Sequence, residues 1–576
     1  MNVTSIMNVA RRNKKELYPV RGITDLKDMM NSNAALYQDR SAFLVKKKPG
    51  GKYSPISYNQ VKADVDALGT ALMDMGMAGT KIAVVGENRY EWVVADLAVC
   101  CGVGVVVPLD KELPIAEIRN LCERAEVSAV IYSGKLEKQL LEALSGLSFV
   151  RYKISMDAES GDDMRLSMKE LISRGKRLIN QEVRSFIDAE IDHEAMSFLL
   201  YTSGTTGLAK GVMLSHKNIC ANIMNMSMFV HLYADDVTLS VLPMHHTYEF
   251  TCNIMTVMYQ GACIAICEGL KHIVKNMQEA EVTLIIGVPL IFESMHKKIW
   301  KQAEKTGQSK RLRQAMTISK TLNKFSVKSA RKLFKSVHQS LGGNVRMFIA
   351  GAAAIDPIVI EDFNLMGINT FQGYGLTENS PIVAVNLDRY HKPASVGPGM
   401  PNTEIKLIDT DENGVGEILV KGDSVMLGYY NDKEETDKVL RDGWLYTGDY
   451  GYLDKDGFLY ISGRKKNVIV TKNGKNIFPE EVEYYLNKIE YIEEVVVEGQ
   501  EDESGDTIVF AHIVPDMETV KEMAGDLSEE ELRKLLKKDI DDINELMPGY
   551  KRVKRFEIRY EPFEKTTTKK IKRFAI

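Results

Sequence analysis

The chain has 576 residues, 44% hydrophobic and 27% charged, with a net charge of −5. That length exceeds what one hydrophobic core supports and calls for two to four domains. The composition is that of an ordinary soluble globular protein, and the acidic balance disfavours nucleic acid as a partner.

The seven cysteines, odd in number, follow no C-x-x-C or zinc-ligand spacing, as expected of reduced structural thiols in a cytosolic protein. The N-terminus, MNVTSIMNVARRNKKELYPV, lacks the apolar h-region of a secretory signal. The longest apolar run, WVVADLAVCCGVGVVVP (92–108), is interrupted by Asp96 and is short for a membrane span, so it reads as a buried helix leading into a buried strand.

From residue 81 the order is KIAVVG, an apolar helix, VGVVVPLD, the helix-like PIAEIRNLCERAE, then VSAVIYS. Continuous apolar strands alternating with helices predict an α/β fold with parallel sheets covered on both faces. The pattern recurs in SFLLYTSG, GACIAICEG, VTLIIGVP and VRMFIAG, each ending in small residues. Ligands of such sheets sit beyond the carboxyl ends of the strands.

One of these strands runs into YTSGTTGLAKG (201–211), where Gly204, Gly207 and Gly211, with Lys210 near the end, leave a backbone with little bulk. Consecutive N–H groups in such a turn bind anions, phosphate above all. The spacing is not that of a nucleotide-hydrolysing P-loop, and no G-x-G-x-x-G fingerprint occurs. A plain flexible connection is the competing reading for this loop taken alone.

Between Lys297 and Lys335 lie thirteen Lys/Arg and one acid, Glu304, a charge of +12 that leaves −17 for the remainder. The stretch is helical in pattern, with Trp300, Leu312, Leu333, Phe334 and Val337 available for packing. It reads either as a solvated helix face or as an attraction to anionic lipid or a phosphate-rich ligand. Around 395–460 the texture becomes short strands with Asp-Gly and Asn-Gly turns, a β-rich subdomain. A further α+β portion follows ISGRKK, with a domain boundary near Arg464–Lys466.

The motifs YTSGTTGLAKGVMLSHKN, LPMHHTYEF, IAGAAAID, FQGYGLTENSP, YTGDYGY, ISGRKKNVIVTKNGKNIFPEEVE and KTTTKKIKR occur in that order. As a set they resemble the adenylate-forming superfamily of acyl-CoA synthetases, aryl-CoA ligases, luciferases and peptide-synthetase adenylation domains. The likeness covers nearly everything after residue 30. The terminal KTTTKKIKR, the HHTYEF loop and the basic insert most resemble long-chain fatty acyl-CoA synthetases.

The resemblance implies a large N-terminal AMP-binding domain (31–463, its β-rich subdomain at 395–463) after an N-terminal extension (1–30). A hinge (464–466) and a mobile C-terminal domain (467–576) would follow. It also implies two half-reactions with ATP, Mg²⁺ and coenzyme A: a carboxylate attacks the α-phosphate to give acyl-AMP and pyrophosphate, then the thiol of coenzyme A expels AMP. Cytoplasmic residence, with peripheral contact at the inner membrane face through 297–335, accompanies that reading. An acyl-AMP ligase, an acyl-carrier-protein ligase, an aryl-CoA ligase and a nucleotide-binding scaffold are the alternatives.

Site residues follow from the same likeness. Thr202, Ser203, Gly204, Thr205, Thr206 and Gly207 wrap the β- and γ-phosphates, with Lys210 as a helper or a solvated lysine. Gly351, Ala352 and Ala353 pack against the purine, as does Tyr374 between Gly373 and Gly375, after Gln372. Thr377 donates to the α-phosphate, and Glu378 offers Mg²⁺ a hard oxygen. Asp449 accepts both ribose hydroxyls, a task for an ionised two-oxygen acceptor, with Arg464 beside it.

Lys466 matches the hinge or is a surface lysine in a basic run. His246 lies beside the acyl carbon or is a packed structural histidine. Gly474 and Lys475 flank the pantetheine tunnel of coenzyme A. Lys570 is the adenylating lysine, a flexible point charge able to reach phosphate and carboxylate together, although Lys569 stands where relatives carry glycine.

Overall fold

A computed structural model describes residues 17–162, 164–202, 209–323, 330–471, 475–502, 507–565 and 571–573. The chain divides into two units, Met1–Glu404 with Val420–Leu445, and Ile405–Leu419 with Tyr446–Ile576.

The first unit holds two eight-stranded sheets. Its strands in chain order are β1 (Ser41–Lys46), β2 (Tyr53–Ser57), β3 (Thr80–Val85), β4 (Gly104–Leu109), β5 (Ala129–Tyr132), β6 (Tyr152–Ser155), β7 (Leu166–Ser167), β8 (Met196–Thr202) and β9 (Lys210–Ser215). There follow β10 (Val237–Ser240), β11 (Cys263–Ile266), β12 (Leu284–Gly287), β13 (Met347–Ala350), β14 (Asn369–Gly375) and β15 (Ile382–Val385).

One sheet runs β7-β6-β5-β3-β4-β8-β9 and is closed at its edge by Gly428–Tyr429; the other runs β2-β1-β11-β10-β12-β13-β14-β15. Their central strands pair in parallel, and residues such as Ile82–Val85 and Leu284–Ile286 are buried. Helices cover both faces, which is why these strands are apolar throughout rather than alternating. The expectation of a parallel α/β fold is borne out. In the second sheet β10, β12, β13 and β14 run in parallel, so their carboxyl ends line one rim.

The run 92–108 is a helix (Tyr90–Ala98), a π-helical turn (Val99–Val103) and β4. Asp96 is buried there with both carboxylate oxygens unpartnered, and burial raises its pKa well above the ordinary range. The seven cysteines are free, six of them buried. Among the described residues, no helix is long and apolar enough to cross a membrane.

A local device joins β9 to the helix that follows it. Ser215 ends β9 and caps the helix His216–Phe229: its hydroxyl accepts from Asn218 N at 3.2 Å, and Asn218 Oδ1 accepts from Ser215 N at 2.9 Å. Such a cap stabilises a helix by about 1 kcal/mol. The Asn218 amide then donates to Asp423 O and Val425 O at 2.7 and 2.9 Å, anchoring the segment that leads to Tyr429.

The basic stretch forms helices Pro289–Lys305 and Ser309–Asn323. Phe334 and Val337 are buried in the sheet's core cluster and Trp300 and Leu312 pack against it, but Leu333 is 41% exposed and does not join them.

The second unit contains the strand Trp444–Leu453 from Tyr446 onward, paired with Leu459–Arg464, and a three-stranded sheet of Ile492–Glu501, Thr507–Pro515 and Val553–Ile558. Helices Pro479–Leu486 and Glu529–Asn544 pack Val482, Leu486, Leu536 and Ile540 against Val497, Ala511 and Ile513. Each such side chain contributes about 1.5–3 kcal/mol on burial.

Candidate active site

The carboxyl rim of β12, β13 and β14 carries the IAGAAAID and FQGYGLTENSP segments. Gly351, just past β13, donates from its N–H to Gly287 O at 3.1 Å. Tyr248 enters from the LPMHHTYEF loop, its hydroxyl donating to Ile349 O at 3.2 Å. A Cβ on Gly351 would stand 2.7 Å from that hydroxyl. Glycine is required there by Tyr248, a cause that the motif alone does not disclose. Ala352 follows with φ +69° and is half-buried, and Ala353 is exposed.

In β14 a Cβ on Gly375 would meet Pro381 O at 2.4 Å, so glycine lets β15 return closely alongside. Gly373 sits against Ala384 O in the same way, at 3.0 Å, and the half-buried Tyr374 between them is in register with Ala384. Gln372 is buried, its side-chain amide donating to Pro393 O at 2.7 Å. Thr377 and Glu378 open a single 3₁₀ turn (Thr377–Asn379), and both remain partly exposed.

Glu378 is oriented by a neighbour 51 positions away: the hydroxyl of Tyr429 donates to Glu378 Oε1 at 2.9 Å. Met426 N donates to Glu378 O, also at 2.9 Å. Lys210, opening β9 opposite Thr202, ion-pairs with Glu435, and its ammonium lies 5.0 Å from the centre of the Tyr429 ring. The Glu435 carboxyl is held down at about 2 by Lys210 first and Lys438 second. Among the described residues no cluster of three His, Cys, Asp or Glu side chains could hold a metal. A single hard carboxylate fits Mg²⁺, which takes one or two carboxylates and completes its shell with phosphate and water.

The LPMHHTYEF loop leaves β10 and runs into a π-helix, Tyr248–Met255. His245 and His246 have ring centres 4.1 Å apart. Burial, then Lys111, lowers the His245 pKa to about 3, so its 3.6 Å approach to Asp110 is not an ion pair at neutral pH. His246 is half-buried, and its carbonyl accepts from Phe250 N at 2.9 Å.

Behind them Glu249 is fully buried, accepting from Ser240 Oγ (2.5 Å), Asn253 Nδ2 (2.9 Å) and Leu242 N (3.3 Å). Burial raises its pKa to about 8 against those hydrogen bonds. Asn88, from the loop after β3, donates to Ser240 Oγ and Leu242 O at 3.0 and 2.6 Å, stitching this loop to the other sheet. Sequence reading missed Asn88, Tyr248, Glu249, Tyr429 and Glu435. A lone acid within the apolar YEFTCNIM was the one available signal, and it pointed to Glu249.

In the second unit Asp449 and Arg464 face each other across paired strands, with Arg464 Nε 2.9 Å from Asp449 Oδ1. Asp449 is 4% exposed and Arg464 exposed. Thr447 Oγ1 accepts from Asp449 N at 3.1 Å and donates to Ile418 O at 2.7 Å, fixing this part of the strand. Lys466 lies exposed in the 3₁₀ turn Lys465–Asn467, whose Lys465 pairs with Glu417 at 2.5 Å. The Lys475 ammonium sits over the Tyr550 ring, 4.5 Å from its centre. Ser203, Gly204, Thr205, Thr206, Gly207, Gly474 and Lys570 lie outside the described residues.

Residues 30–430 match the family model of AMP-binding enzymes, and residues 466–576 match the model of the AMP-binding enzyme C-terminal domain. The chain belongs to the AMP-binding enzyme family. This AMP-binding enzyme is 31% identical to long-chain-fatty-acid–CoA ligase 1 of Cavia porcellus, over 83% of its own length and 72% of that protein's. It is 29% identical to fatty acyl-CoA synthetase B of Dictyostelium discoideum, over 87% and 78% of the two chains. Among solved structures, an anthranilate CoA ligase in complex with anthranoyl-AMP aligns with a TM-score of 0.75 over 97% of both chains at 19% identity, a likeness of fold.

Proposed function

We propose that this AMP-binding enzyme is an AMP-forming acid–thiol ligase that adenylates a medium- or long-chain fatty acid and passes the acyl group to coenzyme A. The observation that carries this reading is the strand rim where Gly351 follows β13 and, beside it, Tyr374 lies near the end of β14 with Thr377 and Glu378 just beyond. Support also comes from relatives named as fatty acyl-CoA ligases over most of the chain.

A carboxylate is a poor electrophile, and AMP makes it a good one. In the first step a carboxylate oxygen forms a bond to the α-phosphorus while the bond to the bridging oxygen breaks and pyrophosphate leaves. Catalysis of such a step is positioning plus electrostatic stabilisation. Ser203, Thr205, Thr206 and the glycine backbone would hold the β- and γ-phosphates, with Lys210 beside them.

Thr377 would donate to the α-phosphate, and Glu378 would hold Mg²⁺, whose charge, when bound, neutralises the transferring group. Tyr374 and 351–353 would flank the purine. Asp449, oriented by Arg464, would accept from the ribose, and Lys570 would reach the α-phosphate and the attacking carboxylate. In the second step the sulfur of coenzyme A bonds to the acyl carbon beside His246, AMP departs and the thiol proton is lost.

The test is release of pyrophosphate and AMP across a panel of carboxylic acids, with coenzyme A present and absent. Acid-dependent pyrophosphate matched by thioester is expected, with C10–C18 acids preferred over benzoates. ADP and phosphate as products would exclude this chemistry.

We also read 297–335 as a contact with an anionic membrane surface on the cytoplasmic side, from which insoluble acids are collected. Lys310, Arg311, Arg313 and Lys320 line the exposed side of the helix Ser309–Asn323 with Ile318, which is 50% exposed, and Leu333 adds a second apolar tip. Cationic faces with apolar residues among them bind anionic lipid in a salt-sensitive way. Co-sedimentation with phosphatidylglycerol vesicles that disappears in 0.5 M salt is expected. Binding indifferent to lipid charge and salt would remove the reading.

A further inference from the structure

The segment Gly428–Val439 touches two of the candidate site residues at once. Its start, Gly428–Tyr429, pairs antiparallel with β9, and Tyr430 N donates to Gly211 O at 2.7 Å, one residue past Lys210. Asp432 then caps the helix Lys433–Val439, accepting from Glu435 N at 3.0 Å, and Thr436 Oγ1 reaches back to accept from Tyr429 N at 2.9 Å. Tyr429 is therefore clamped from both sides and 7% exposed. From that fixed backbone its hydroxyl reaches Glu378 Oε1 while its ring lies beneath the Lys210 ammonium, which Glu435 pairs from the helix.

We propose that Tyr429 is a positioning residue that aims the Glu378 carboxylate at Mg²⁺, with Glu435 aiming Lys210 at the polyphosphate. The proposal rests on the adenylation reading above. A carboxylate that holds a metal through one oxygen has a second oxygen to be anchored, and a hydroxyl donor at 2.9 Å sets its rotation. Lysine has three donors on a flexible stem, so one carboxylate on its flank fixes direction and leaves donors for phosphate. The strand Gly428–Tyr429 and the aspartate-capped helix Lys433–Val439 that follows it supply one anchor each, which couples metal and phosphate recognition to one contiguous segment.

The test titrates the full-length protein with Mg²⁺ and α,β-methylene-ATP by calorimetry, alongside pyrophosphate release with ATP and a fatty acid. Tyr429→Phe is expected to raise the Mg²⁺ concentration for half-maximal nucleotide binding about tenfold, with kcat at saturating Mg²⁺ within about twofold of the parent. Glu435→Gln is expected to raise KM for ATP about three- to tenfold and leave the Mg²⁺ requirement unchanged. In a Lys210→Met background Glu435→Gln should add nothing.

Tyr430→Phe, on the neighbouring residue, should leave the Mg²⁺ requirement as it is. Unchanged or tighter Mg²⁺ dependence in Tyr429→Phe overturns the proposal, as does a fall in kcat with no shift in that dependence. Should no acid be adenylated by the parent while the calorimetric shift persists, the ligase reading fails and the positioning role stands.

Discussion

The hydroxyl of Tyr248 occupies the place that a side chain on Gly351 would need, 2.7 Å from where its Cβ would stand, while donating to Ile349 O at 3.2 Å. The two residues come from different segments, 103 positions apart, and together close the rim at the IAGAAAID segment. A Gly351→Ala substitution therefore displaces Tyr248 or the rim itself. Overpacking of this kind costs about 1–3 kcal/mol. We expect a matching loss of stability in urea and a rise of at least tenfold in KM for ATP, measured by pyrophosphate release. An alanine variant with unaltered KM would mean that the rim does not face the nucleotide.

Glu249 makes stability depend on pH. Its folded-state pKa, about 8, lies above the ordinary glutamate value of 4.5. Between those two values the folded protein keeps a proton that the unfolded chain releases. Rising pH across that window therefore favours unfolding, by up to about 1.4 kcal/mol per unit. His245, lowered to about 3, acts oppositely: as pH falls below 6.5 the unfolded chain takes up a proton that the folded one refuses. Urea melts should show the parent losing stability from pH 6 to pH 8 and Glu249→Gln losing much less. Parallel curves for the two proteins would show that Glu249 is ionised at pH 6.

Asp449 is nearly buried against an exposed Arg464. Asp449→Asn keeps the shape and removes the charge and the second acceptor that two ribose hydroxyls require. The expectation is a KM for ATP raised about tenfold or more, with a stability change within about 1–2 kcal/mol. Full retention of ATP affinity would place the ribose elsewhere.

Lys570→Ala is expected to separate the half-reactions. Acyl-AMP formation should fall by at least 100-fold, while nucleotide binding and the conversion of supplied acyl-AMP to thioester continue. Unchanged pyrophosphate release would transfer the role to Lys569 or Lys572.

Much of the architecture was legible because it is local. Apolar runs such as KIAVVG and VRMFIAG, with no polar alternation, specify strands buried on both faces, and the small residues closing them mark the rim where ligands sit. Thr377, Glu378, Asp449 and Arg464 stood out because they fall in contiguous motifs. Leu333 could not be distinguished from Phe334 in this way: both are apolar neighbours in one short helical stretch, and only packing turns one inward and the other out.

What the sequence by itself determined was the class of fold, the family and the motif stretches on which the proposed chemistry is placed, since spacing along a chain encodes periodicity and loop composition. What only the tertiary structure decided was which distant groups complete them: Tyr429 for Glu378, Glu435 for Lys210, Tyr248 for Gly351, and Asn88 and Ser240 around Glu249. Apart from Ser240 with Glu249, nine positions away, those pairings lie tens to hundreds of residues apart, and the free energy that selects them comes from burying apolar surface and satisfying polar groups across the whole fold, which no local window contains.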